Sequence, residues 1–157
     1  MEALGRCAGH GKPGAALEGV LAAYLCGLGL PKAEVALKLT GPEGMRRLNT
    51  GYRGQDRPTD VLSFPALEGR PPAGFQGHLG DLAFCPAYAW AKRRRFYPDF
   101  GAECAFLLLH GLLHLSGQHH DNPAQERRMW SLARALHPLG RPYFPRLKAL
   151  KPLGAKP

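Results

Sequence analysis

The apolar positions along the chain change period several times, and each period predicts an element. Leu17, Val20, Leu21, Tyr24, Leu25 and Leu28 recur at the three- and four-residue steps of an amphipathic helix, which Gly29 and Pro31 close. Val35, Leu37 and Leu39 alternate with small or polar residues, the period of a half-buried strand. The run PEGMRRLNTGY (42–52) predicts a short helix, with Pro42 in the first turn, where its missing N–H is no loss. TDVLSF (59–64) and LGDLAFC (79–85) predict strands, separated by a Pro/Gly-rich loop from Pro65 to about Gly77. PAYAWAKRRRFY (86–97) returns to helix with a basic end. ECAFLLLHGLLHL (103–115) is apolar nearly all round and predicts a buried helix. Asn122 can cap a further helix that begins at Pro123 and runs to about His137.

Strands and helices in this order predict an α+β fold, with helices packed around a small mixed β-sheet. At 157 residues the chain is long enough for one core. A single domain is expected over 1–140, followed by a basic, Pro/Gly-rich tail over 141–157 that packs poorly. No stretch reaches 18 uninterrupted apolar residues, and the first residues lack the charged-then-apolar layout of a signal peptide, so a cytoplasmic protein with no membrane partner is expected. Cys7, Cys26, Cys85 and Cys104 form no CxxC pair and are expected as reduced, small apolar side chains. The net charge of +9 favours a polyanionic partner.

The chemistry concentrates in HGLLHLSGQHHD (110–121), which holds four of the seven histidines. At about 100° per residue, His110 and His114 lie roughly 40° apart around a helix, so both rings leave one face a turn apart. Gly117 can end the helix in a left-handed turn and bring His120 or His119 back to the same point. Three neutral imidazoles that leave one position open describe a catalytic zinc site rather than a structural one. The alternative is a pair of hydrogen-bonded core histidines. The spacing HxxxHxxGxxH favours metal, and it selects His120 over His119, because HExxHxxGxxH metalloproteases reach their metal at the same spacing. Those enzymes need a glutamate after the first histidine, and here that residue is Gly111.

HGLLHLSGQHH resembles the HGxLHLxGYDH signature of the YbeY family, metal-dependent endoribonucleases and ribosomal RNA maturation factors of the bacterial cytoplasm. LNTGYRGQDRPTDVLSFP (48–65) resembles that family's LNxxYRxxDxPTDVLSFP, and LGDLAFC its LGDI segment, in the same order over about 42–121. The resemblance implies one zinc per chain on His110, His114 and His120, a zincin-like metal helix, catalysis carried by Arg53 and His114, and ribosomal RNA on the ribosome or its small subunit as partner. Two departures stand out. Gln118-His119 replaces the family's Tyr-Asp, with Asp121 the nearest substitute carboxylate, and the Gly-rich first 14 residues match its opening strand poorly.

Phosphodiester cleavage also needs charge neutralised at phosphate. Arg53 offers a fork that matches two phosphate oxygens, the alternative being an ion pair with an acid such as Asp60. Asp60 and Asp81 are expected as caps or supporting groups. Glu103, seven residues before His110, either reaches toward the site or sits solvated at the helix start. KRRR (92–95), with Arg127, Arg128 and Arg134, is expected to track an RNA backbone. Two functional classes follow: a zinc-dependent endoribonuclease, or a ribosome-associated RNA-binding module whose metal holds the fold. Peptide hydrolysis is a third reading, which needs Glu103 to replace the missing base.

Overall fold

The computed structural model describes residues 2–3 and 12–152. Strand β1 (Glu2–Ala3) is followed by α1 (Lys12–Gly27), β2 (Ala33–Leu39), α2 (Pro42–Arg53), β3 (Val61–Pro65) and β4 (Gly77–Phe84). Then come α3 (Pro86–Ala91), α4 (Phe100–Leu115) and α5 (Pro123–Leu136), and the described chain closes with helical turns around α6 (Phe144–Leu147). The sheet order is β1-β2-β4-β3. β2 and β4 run parallel, while β1 and β3 pair antiparallel on the two edges, so the sheet is mixed and the fold α+β. The two-residue β1 forms a sheet edge, although the Gly-rich opening matches the family's first strand poorly. No helix among the described residues is long and apolar enough to cross a membrane.

Helix α4 is the centre of the core. Fourteen of its residues are buried, and the two that are not are His110 and His114. Asp99 caps the helix by accepting the Ala102 N–H at 2.9 Å. One face lies directly on the sheet: a Cβ added at Gly111 would stand 2.8 Å from Leu82 Cδ2 and 3.1 Å from Val61 Cγ2. The Ser63 hydroxyl donates to the Gly111 carbonyl at 2.9 Å, locking β3 to the same turn. On the other face, Leu17, Val20, Leu21 and Tyr24 of α1 close the core, as their spacing requires.

Two expectations change. Helix α3 stops at Ala91, and KRRR forms turns, with Arg94 at φ 66°. The cause lies in Glu103, which is 2 % exposed and neither solvated nor turned toward the histidines. Its Oε2 accepts the N–H groups of Phe96 and Tyr97 at 3.1 and 2.8 Å, which draws the 92–97 segment off the helical path. The segment from residue 141 also packs rather than trailing away. Leu147 and Leu150 join the core, and Lys148 pairs with Asp99 at 2.7 Å. Residues 153–157 and Cys7 lie outside the described residues. Cys85 and Cys104 are buried free thiols and Cys26 is an exposed one.

Candidate metal centre and substrate cleft

His110 and His114 face each other across one turn of α4, with their Nε2 atoms 3.2 Å apart. Gly117 adopts φ 86°, the left-handed turn expected of it, and the chain folds back. That return places the His120 ring centroid 5.1 Å from His114 and 6.0 Å from His110. One ring nitrogen from each of the three lies within 4.8 Å of the others. His119 lies outside this group, its ring centroid 6.5 Å from that of His114.

The donor set suits a metal ion. Two nitrogens bound at about 2.1 Å to one tetrahedral ion stand roughly 3.4 Å apart, close to the spacing of the facing Nε2 pair. Ligand imidazoles must also be neutral. Burial, and then the neighbouring His114, His120 and Arg95, lowers the His110 pKa to about 4. Burial likewise lowers His114, while a hydrogen bond to the Gln118 backbone works the other way.

The histidines open onto two cavities. A cleft of about 700 Å³ is lined by the three rings together with Tyr52, Arg53, Asp60, Phe64, His119 and Asp121. A smaller chamber of about 250 Å³ shares His110, His120 and Asp60 with the cleft and is otherwise walled by Arg95, Phe96, Phe106, Leu107, Glu126 and Trp130.

Comparison with known proteins decides the family. The model for the family described as endoribonuclease YbeY matches residues 15–138. The chain belongs to the YbeY family. It is 44% identical over 108 residues to an endoribonuclease YbeY of Anaeromyxobacter, a match covering 69% of this chain and 55% of that protein. A YbeY of Geobacter metallireducens is 38% identical over 107 residues, covering 67% of this chain and 71% of that one. The chain therefore matches little more than half the length of some curated YbeY proteins. The solution structure of TM1509 from Thermotoga maritima is similar over 95% of this chain and 97% of that one, with TM-score 0.62 and 25% identity.

Within this YbeY chain the remaining site residues separate by position. Arg53, the last residue of α2, is exposed and reaches the cleft beside the histidines; among the described residues it makes no ion pair, with Asp60 or otherwise. Gly54, at φ 65°, turns the chain away immediately after it. Asp60 accepts the Val61 N–H at 2.7 Å and stands where the two cavities meet. Asp81 pairs with His78 at 2.9 Å and lines neither cavity.

Two groups escaped the sequence reading. Tyr52 is 71% exposed, although its ring packs 4.6 Å from that of Phe64. The chamber's aromatic wall joins Phe96, Phe106 and Trp130, from three separate segments. The only signals were the FY pair after KRRR and the i, i+4 pair Glu126 and Trp130.

Proposed function

We propose that this protein is a zinc-dependent endoribonuclease that cleaves single-stranded RNA, acting in the cytoplasm on ribosomal RNA during maturation of the ribosome or its small subunit. The observation that carries this reading is the opening of three converging imidazoles onto a cleft whose other wall supplies an unpaired Arg53 and an exposed Tyr52. His110, His114 and His120 would hold one zinc ion. Bound there, zinc supplies Lewis acidity toward phosphate and lowers the pKa of water toward neutrality.

The protein's own groups supply the rest. The Arg53 fork matches two non-bridging phosphate oxygens and neutralises their charge. The open face of Tyr52 takes an unpaired base, which a duplex does not offer, and so favours single strands. Exposed Arg127, Arg128 and Arg134 on α5 extend a basic surface beyond the chamber. The relatives' printed activity, endoribonuclease, agrees with this arrangement.

A metal with a purely structural role would be enclosed by protein, whereas His120 is exposed and the site faces a cavity. Peptide hydrolysis lacks its base, since Glu103 is committed to two backbone N–H groups. The test is single-turnover cleavage of a defined ribosomal RNA fragment by zinc-loaded and zinc-stripped protein at matched folded fraction. Cleavage confined to the loaded protein is expected. RNA binding without cleavage in both would overturn the enzyme reading in favour of a binding module.

A further inference from the structure

The chamber beside the cleft is not lined by Arg53, the residue assigned to phosphate. Its volume is about 250 Å³, room enough for one nucleobase. We propose that it is a nucleobase subsite, which receives the base next to the phosphate held at the histidine cluster and prefers guanine through Glu126. The proposal rests on the endoribonuclease reading and names a specificity element of that site.

The wall is built for a flat ring. Trp130 stacks against His110, with centroids 5.6 Å apart and planes 26° from parallel, and against Phe106 at 5.7 Å and 9°. Phe96 closes the corner 5.6 Å from Trp130. Unpaired RNA bases are held on such aromatic faces and read along their hydrogen-bonding edges. The Arg95 guanidinium lies 4.9 Å over the Phe96 ring at the rim, a cation where the base's own phosphate would enter. Glu126 holds the indole in place by accepting its Nε1–H at 3.4 Å.

Glu126 also sets the selectivity. It is exposed on the chamber side and, among the described residues, makes no ion pair, so its carboxylate retains free lone pairs. An ionised carboxylate only accepts. The guanine edge presents two adjacent donors, N1–H and N2–H, that match it. Uracil presents one N–H between two carbonyl oxygens, which a carboxylate repels. A simple amphipathic helix face would explain the Glu126–Trp130 pairing, yet it would have closed the space that here opens onto two of the metal-site histidines.

The test uses the Trp90→Phe variant of the full chain, which leaves Trp130 as the one indole of the two in the sequence. Its fluorescence is titrated with GMP, UMP and ribose 5-phosphate, with and without zinc. GMP should quench at about tenfold lower concentration than UMP, and ribose 5-phosphate should not quench. Glu126→Gln replaces one acceptor with a donor, the complement of uracil's edge, so the GMP-to-UMP ratio should collapse with the melting temperature unchanged. A ratio unaltered by Glu126→Gln, or displacement of GMP by ribose 5-phosphate at equal concentration, would overturn the subsite. RNA cleavage indifferent to the position of guanine would overturn it too and leave the nuclease reading standing. Base discrimination by a protein that leaves RNA uncut would instead support the chamber and sink the nuclease reading.

Discussion

His110 and His114 hold their Nε2 atoms 3.2 Å apart on a helix whose other fourteen residues are buried. Two neutral imidazoles in that position either share one hydrogen or direct both lone pairs at a common cation. His120, returned by the turn at Gly117, favours the cation. Purified protein should therefore carry one zinc per chain, and His110→Ala, His114→Ala and His120→Ala should each lose most of it. His119→Ala should keep it. Elemental analysis of the four variants decides, and full zinc in His120→Ala with loss in His119→Ala would reverse the ligand assignment.

Arg53→Lys keeps the charge and loses the fork. If the fork grips phosphate mainly in the transition state, single-turnover cleavage should slow by about a hundredfold, roughly 3 kcal/mol. Substrate affinity, zinc content and melting temperature should stay near wild type. A wild-type cleavage rate in Arg53→Lys removes Arg53 from the reaction.

Stacking and charge predict separable effects on RNA binding. Tyr52→Ala should weaken single-stranded RNA by about 1–3 kcal/mol while leaving the salt dependence unchanged. Arg127→Ala or Arg128→Ala should instead reduce the slope of log affinity against log salt by about 0.7 for each phosphate that is no longer neutralised. Fluorescence anisotropy at a series of salt concentrations separates the two. A slope near zero in the wild type would dismiss the basic surface as the RNA track.

His137 gives the fold an acid-sensitive point away from the metal centre. It is 5% exposed, stacked on Tyr97 at 4.1 Å, with Nε2 2.9 Å from the Ala102 carbonyl oxygen. Burial lowers its pKa in the folded state, the Ala102 hydrogen bond opposes this, and Arg141 lowers it further. The unfolded chain, with histidine near 6.5, takes up a proton first as pH falls. Stability contributed by the neutral ring is thus complete above that value and is lost as pH drops through it toward the lower folded pKa. In zinc-free protein, the melting temperature should fall less between pH 7 and pH 5 in His137→Phe than in wild type. Equal slopes would mean that His137 does not titrate with unfolding.

Elements whose physics is local could be read from the chain alone. The amphipathic step in α1, the Asn122 cap of α5, and the histidine spacing with its glycine turn all act within a few residues. The end of α3 could not be read that way, because Glu103 unwinds KRRR from a different helix. The packing of Leu147 and Leu150 was hidden for a related reason: Pro, Gly and Lys around them suggest a loose tail, while the hydrophobic seat that holds them lies on other elements. The cleft was legible through Arg53 and the histidines. The chamber was not, since its aromatic wall assembles from segments with no shared motif.

The contact of Gly111 with Leu82 and Val61 bears on how this fold could change its chemistry. One codon change would write the HExxH of a zinc peptidase into the sequence. The new side chain would start its path against Leu82 and Val61, and could fit only if those two side chains gave way. Laboratory selection for peptide cleavage should therefore reject Gly111→Glu and recruit a base from the loop side, around Asp60 or Asp121. At position 111 the packing of helix on sheet leaves little room for even one more carbon atom.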